Sequence, residues 1–168
     1  MFPHFCLAGE ITLDNWIYHS DIKEVRDIYN GIKNGVESGK YKIKEYHGDR
    51  NCKEMGCTTY QFEISTNDGF ILACGFTSFL TIYSKEETRE EYFDNNGVLR
   101  FRLYLEKYFS GNKIGREEIG RRYQDETGRF IWSIRVINGK VTDYRSGKSD
   151  SSFHLYKNDQ CKRFGWER

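Results

Sequence analysis

The chain has 168 residues, 16% of them aromatic, and its 26 lysines and arginines nearly balance 25 aspartates and glutamates. This length suits one domain, expected over residues 1–168, with a core of its own, and the formal charge of +1 provides no strong overall field for nucleic acid or an anionic membrane. No run of about 18 apolar residues is long enough to span a membrane.

The charge is nevertheless distributed unevenly along the chain. Residues 1–112 carry 13 basic and 17 acidic side chains, whereas residues 113–168 carry 13 basic and 8 acidic ones, so the net charges are −4 and +5. The C-terminal third is therefore mildly basic. Such a segment is typical either of solvated strand faces or of a surface for an anionic partner.

The N-terminal residues and the cysteines indicate the cellular compartment. Residues 1–10 contain no basic leader and no long apolar core of a signal peptide, so we expect a cytoplasmic protein. An odd number of cysteines in a chain of this length favours reduced thiols, with Cys74 in the apolar core. The five cysteines are Cys6, Cys52, Cys57, Cys74 and Cys161.

An amphipathic helix is predicted to begin near Ser20. Apolar residues recur at spacings of three and four over residues 22–32, behind a Ser or Asp cap. The helix is predicted to end at Asn34-Gly35 or at Ser38-Gly39, because glycine readily adopts the left-handed conformation that closes a helix. A strand is predicted next, over residues 40–47.

Strand patterns dominate the middle of the chain. Residues 60–65 alternate between apolar and polar side chains, and Asn67-Asp68-Gly69 predicts a turn. Residues 70–83 are almost continuously apolar, which predicts a central strand with a bulge or bend at Gly75. Residues 99–106 alternate again and predict a strand with arginines on its outer face.

Two other segments have a helix-like composition. Four glutamates follow Ser84, and negative charge near a helix N-terminus is favourable, so a short acidic helix is predicted over residues 84–93. Residues 114–123 are also charged, but Gly115 and Gly120 would each destabilise a helix by about 1 kcal/mol relative to alanine. The composition therefore leaves the second segment unassigned.

The strongest local signal is Asn138-Gly139, which lies between two β-patterned runs within residues 129–145. This pair tolerates the positive φ angles that a type I′ turn needs at both central positions, so a β-hairpin is predicted. The combined pattern predicts an α+β domain. It would contain a mostly antiparallel sheet of about five to seven strands, with the N-terminal helix and one or two short helices on one face.

Familiar signatures of nucleotide and nuclease chemistry are incomplete. Gly147-Lys148-Ser149 has the ending of a phosphate-binding loop, but Thr142 occupies the position of the first glycine that this loop requires. No glutamate is followed by lysine at the second position, as a common metal-dependent nuclease site would require. These observations disfavour both classes of enzyme.

His47, Cys52 and Cys57 form the one cluster from which a zinc site could start. Their spacing is loose, and structural zinc usually requires a second tight pair of ligands, so we expect no metal and no cofactor. A small enzyme with a site centred on His19, His47 or His154 is a further alternative. An enzyme is the less favoured class because no specific pattern supports one.

The favoured hypothesis is a small binding protein. Carboxylates mimic the phosphates for which a nuclease surface is built, and complementary charge speeds association. We therefore expect a bacterial or phage protein, of the toxin-immunity or anti-defence type, that inhibits another protein by occluding its basic active surface. The residues predicted to form the binding surface are Glu86, Glu87, Glu90, Glu91 and Asp94.

The main alternative is an RNA- or DNA-binding module in the basic C-terminal third. Interleaved basic and aromatic side chains clamp phosphates and stack on bases. A terminal strand with Phe164 and Trp166 facing the core would explain the same alternation. The residues predicted to bind nucleic acid are Arg121, Arg122, Arg145, Lys162, Arg163 and Trp166.

Overall fold

A computed structural model describes residues 9–48, 56–147 and 161. Its eight strands form one antiparallel sheet in which each strand pairs with the next along the chain. The strands are β1 (Lys42–His47), β2 (Cys57–Ser65), β3 (Ile71–Leu80), β4 (Lys85–Phe93), β5 (Leu99–Ser110), β6 (Lys113–Gln124), β7 (Phe130–Ile137) and β8 (Lys140–Ser146). The α-helix α1 (Ser20–Glu37) precedes them, and a short 3-10 turn, Thr81–Tyr83, separates β3 from β4.

This architecture confirms a mostly antiparallel α+β fold and corrects two details of the prediction. The sheet has eight strands instead of five to seven, because residues with a helix-like composition are recruited as strands. Within the described residues, α1 is the only α-helix, so the predicted short helices beside it are absent.

The helix α1 begins and ends through local contacts. His19, instead of the predicted Ser or Asp, is the N-cap residue, and its Nδ1 accepts a hydrogen bond from the backbone N–H of Asp21. Of the two predicted ends, the second is correct: Ser38 is the C-cap and Gly39 has a φ of +73°. The buried stripe of the helix includes Ile22, Val25 and Ile32.

This stripe packs on a belt of aromatic side chains across the sheet. Neighbouring strands place Tyr92 opposite Phe101, Phe101 opposite Tyr123, and Tyr123 opposite Trp132, so these side chains share one face. Their burial with the apolar helix residues forms the main core. We call this side of the sheet the helix face and the opposite side the far face.

Gly75 does not produce the predicted bulge. It pairs in register with Phe62, and the nearby register shifts lie between Thr58 and Tyr60 and between Ile64 and Ser65. A Cβ atom at Gly75 would lie 2.6 Å from the carbonyl oxygen of Arg89 and 2.6 Å from the Phe62 ring. The glycine therefore serves close packing under that ring.

The predicted acidic helix over residues 84–93 is wrong, because Lys85–Phe93 form β4. The strand lies between β3 and β5, and it pairs with β3 over residues 85–92 and with β5 over residues 85–93. This tertiary pairing outweighs the helix-like charge pattern, since strand preference depends on neighbouring strands and burial. Residues 113–124 likewise form β6.

The predicted hairpin is confirmed. Asn138 and Gly139 have φ angles of +47° and +79°, as a type I′ turn requires, and they join β7 to β8. The Asn138 side chain also accepts a hydrogen bond from the backbone N–H of Glu117 on β6. This contact ties the hairpin turn to the neighbouring strand.

The three described cysteines, Cys57, Cys74 and Cys161, are not the reduced thiols that the sequence suggests. Cys74 is buried as predicted, but it forms a disulfide with Cys161, which is also fully buried. This bond and the side chains of Phe93 and Leu99 form a second, smaller core. Cys57 is also disulfide-bonded. No helix in the described part of the chain is long and apolar enough to cross a membrane.

Candidate functional site

A row of basic side chains crosses the far face of four neighbouring strands. Arg102 on β5 pairs in register with Arg122 on β6, Arg122 with Ser133 on β7, and Ser133 with Arg145 on β8. Adjacent strands lie about 4.8 Å apart, so Arg122 lies one strand spacing from Arg102 and two from Arg145. We call these four residues the arginine row.

A hollow of about 270 Å³ lies beside the arginine row. The next row on the same face runs from Tyr104 through Gly120 and Arg135 to Asp143. Gly120 has no side chain and Ser133 has a small one, so the floor between the longer side chains stays open. Four arginines and two carboxylates of the far face line this arginine hollow, with a net charge of +2. These charged residues are Arg102, Arg122, Arg135, Arg145, Glu118 and Asp143.

Fixed contacts orient the guanidinium groups. Both Nε and Nη2 of Arg102 contact the Oε1 atom of Glu91, at 2.9 Å and 2.8 Å. The Arg122 guanidinium lies 4.7 Å from the centre of the Phe130 ring, in cation–π geometry. Nε of Arg145 lies 3.7 Å from Asp143, and 69% of the arginine side chain is exposed.

Buried carboxylates support this arrangement along the far face. Burial opposes ionisation of Glu106, but hydrogen bonds from Lys85, Tyr104 and Tyr108 outweigh it and lower the Glu106 pKa to about 2. A hydrogen bond from Arg135 is the main cause that lowers the pKa of Glu118, against the opposing effect of burial. Both glutamates therefore stay ionised at neutral pH and hold the neighbouring hydroxyl and guanidinium groups in place.

The structure divides the acidic residues that the sequence groups together. Side chains alternate along β4, so Glu87 and Glu91 lie on the far face while Glu86 and Glu90 lie on the helix face. Glu91 is only 1% exposed and is paired with arginines, and Glu90 accepts a hydrogen bond from Tyr92. These four carboxylates do not form one exposed surface.

The fifth residue of that group, Asp94, lies in the turn after β4. One of its carboxylate oxygens accepts hydrogen bonds from the backbone N–H groups of Asn96 and Val98. Its other oxygen lies 3.4 Å from the guanidinium of Arg100, so its position is explained by local structure.

The predicted nucleic-acid residues are partly brought together. Arg122 and Arg145 both belong to the arginine row, whereas Arg121 projects to the helix face. Lys162, Arg163 and Trp166 lie outside the described residues. Arg102 and Arg135 were absent from the predicted site. The alternation of polar and apolar residues along β5 and β7 indicates that Arg102 and Arg135 lie on the polar face of their strands. Only the register across β5–β8 shows that they lie near Arg122.

The histidine and zinc alternatives gain no support from the described residues. Nε2 of His19 lies 2.8 Å from the carbonyl oxygen of Gly9 and its Nδ1 caps α1, so both ring nitrogens have structural partners. His47 lies on β1 with its ring against Tyr60. Cys57 is in a disulfide, while Cys52 and His154 lie outside the described residues. The described part of the chain contains no group of three potential metal ligands.

Comparison of the chain with protein-family models, with characterised proteins and with solved structures finds no match.

Proposed function

We propose that this chain is a binding protein that engages another protein through the far face of β5–β8. An acidic side chain of the partner would enter the arginine hollow, and the surrounding sheet would cover the partner's surface. Such a protein inhibits by occlusion, as the sequence suggests, but its partner surface is acidic instead of basic.

The arginine row is the observation that carries this proposal. Arg102 and Arg122 stand directly opposite each other, and like charges at such cross-strand positions destabilise a sheet. Glu91 offsets part of this repulsion at Arg102. An anionic group bound in the hollow would reduce this repulsion further, so the pairing of two arginines across the strands favours an anionic partner.

The residue types and their rigidity support a protein partner. Arginine and tyrosine are enriched among the residues that contribute most to protein interfaces. Tyr104 and Arg135 are held by Glu106 and Glu118, so less conformational freedom is lost when a partner binds. By contrast, the paired and divided carboxylates of β4 give little support to a basic partner.

The disulfides bear on where this binding takes place. Such bonds persist in oxidising compartments and are rare in the reducing cytosol. The Cys74–Cys161 bond therefore favours an oxidising compartment over the cytoplasmic location expected from the sequence. A protein partner suits such a compartment better than intracellular nucleic acid does.

The test compares two labelled probes of equal charge, an oligoglutamate peptide and a single-stranded oligonucleotide. Fluorescence anisotropy would measure their binding to the wild type and to the double variant R122Q/R145Q. We expect the wild type to prefer the peptide, and the double variant to bind it about tenfold or more weakly, since two charge-assisted contacts are lost.

The matched control is K23Q/K113Q, which removes the same charge from exposed positions on α1 and at the start of β6. This control should retain peptide affinity within about twofold, because distant exposed charges are screened by salt. Equal losses of peptide affinity in R122Q/R145Q and K23Q/K113Q would show that binding depends only on the net charge of the protein, and would contradict the site. Preferential binding of the oligonucleotide, with a steep salt dependence, would replace the proposal with a nucleic-acid module. Failure of both probes would contradict an anion site.

A further inference from the structure

A second concave site lies on the other side of the sheet, between α1 and the helix face. Its volume is about 420 Å³, within the range of small-molecule sites. Four aromatic rings, two aliphatic side chains, two arginines and one amide surround it. These residues are Trp16, Tyr29, Phe101, Tyr123, Ile17, Leu103, Arg26, Arg121 and Asn30, and we call the site the aromatic cleft.

The rings of the aromatic cleft form a connected wall. Phe101 lies at the centre, 5.4 Å from the Tyr29 ring and 5.1 Å from the Tyr123 ring, between ring centroids. Trp16 lies 6.1 Å from Tyr123 on the same measure. These distances are typical of packed aromatic pairs, so the wall is rigid and apolar.

Two polar groups in the cleft lack a partner within the described residues. Tyr123 is only 2% exposed, yet its hydroxyl has no hydrogen bond to any described group. The half-buried Arg121 likewise has no ion pair or hydrogen bond within the described residues. Both residues line the cleft, and the polar end of neither is among the fully buried atoms that lack a partner. The pair is therefore able to hydrogen-bond a ligand there.

The charge of the lining residues indicates the sign of the charge that a ligand would carry. Among the described residues, Arg26 and Arg121 are the charged groups that line the cleft, and no described carboxylate lines it. Aromatic cages otherwise suit organic cations, but two guanidinium groups would repel one. Burial raises the pKa of Tyr123, against the opposing effect of the two arginines, so its hydroxyl stays protonated and able to donate a hydrogen bond.

We propose that the aromatic cleft binds a small organic anion with a flat apolar body, of the aromatic carboxylate class. The body packs against Trp16, Tyr29 and Phe101, while the carboxylate accepts hydrogen bonds from Arg121 and Tyr123. This site is on the opposite side of the sheet from the arginine hollow and does not depend on the function proposed for it.

Isothermal titration calorimetry with three matched probes tests this assignment. The probes are 2-naphthoate, neutral 2-naphthamide and cationic 2-naphthylmethylammonium, which share one aromatic body. We expect naphthoate to bind at one site per chain, about tenfold or more tightly than the amide, with no binding of the cation. Equal affinity for naphthoate and naphthamide, or no naphthoate binding at about 1 mM, would overturn the proposal.

Four variants locate the site. R121Q should weaken naphthoate binding about tenfold and leave the weaker naphthamide binding unchanged, and Y123F should weaken naphthoate binding about fivefold. N30F should block both probes, because Asn30 is exposed at the cleft and a phenyl ring there fills it. K113Q removes the same charge from an exposed position at the start of β6, outside both candidate sites, and should leave naphthoate affinity unchanged. Equal losses in R121Q and K113Q would contradict the site, as would full binding by N30F with a wild-type melting temperature.

Discussion

The helix face and the far face of the sheet use the same strands but differ in chemistry. On the helix face Tyr92, Phe101 and Tyr123 lie side by side beneath α1. One position away on the same strands, Glu91, Arg102 and Arg122 lie side by side on the far face. The helix face therefore gains stability from burial of apolar area, whereas the far face depends on charge pairing, which contributes less.

This difference indicates where each face is able to bind a ligand. The far face keeps its charged groups in fixed positions, and its hollow lies where a glycine and a serine interrupt the longer side chains. The helix face packs against the buried stripe of α1, and its cleft lies beside the middle of that helix, at Arg26, Tyr29 and Asn30. Each candidate site is therefore a concave region within the side-chain packing of its own face.

The largest loss of stability is expected for W132A, which tests the helix face. Trp132 is fully buried on the helix face, so its removal should lower the free energy of unfolding by about 3–5 kcal/mol. Urea denaturation would measure the change. Its stacked neighbour Tyr144 is 51% exposed, and Y144A should cost less than about 1 kcal/mol. Similar losses in both variants would show that the core is not concentrated on the helix face.

The second effect concerns the small core closed by the disulfide. The variant C74A/C161A should lower the free energy of unfolding by about 2–4 kcal/mol, because the bond joins residues 87 positions apart and restricts the unfolded chain. Urea denaturation without reductant, together with peptide mapping of the wild type, provides the measurement. Recovery of Cys74 as a free thiol from the wild type would contradict the bond and the oxidising compartment inferred from it.

The smallest of the three effects is a pH dependence on the far face. The pKa of Glu106 is lowered to about 2, below its usual 4.5, so the folded state binds its proton less readily than the unfolded state does. Its contribution of about 2–3 kcal/mol is present above pH 4.5 and is lost as the pH falls towards 2.

The variant E106Q isolates this contribution. The stability difference between wild type and E106Q, measured by urea denaturation from pH 7 to pH 2, should shrink as the pH falls through this window. A control variant, D143N, removes an exposed carboxylate of the same face and should change stability by less than about 1 kcal/mol. A difference for E106Q that stays constant with pH would contradict the network.

The sequence by itself determined the local elements of this protein. The spacing of apolar residues predicts α1, and Asn138-Gly139 predicts the hairpin of β7 and β8, because both depend on interactions between residues close in the chain. The alternation in residues 60–65 and 99–106 likewise predicts β2 and β5. Composition alone indicates an aromatic, sheet-rich domain.

The tertiary structure decided everything that depends on pairing across the chain. β4 is a strand because β3 and β5 lie on either side of it, although its glutamates favour a helix N-terminus. Cys74 meets Cys161 across 87 positions. The arginine row exists because the registers of three neighbouring strand pairs align, and a shift of one residue in any of them would move a side chain of the row to the other face. Local propensity contains no information on register, so the two candidate sites became visible only in the folded sheet.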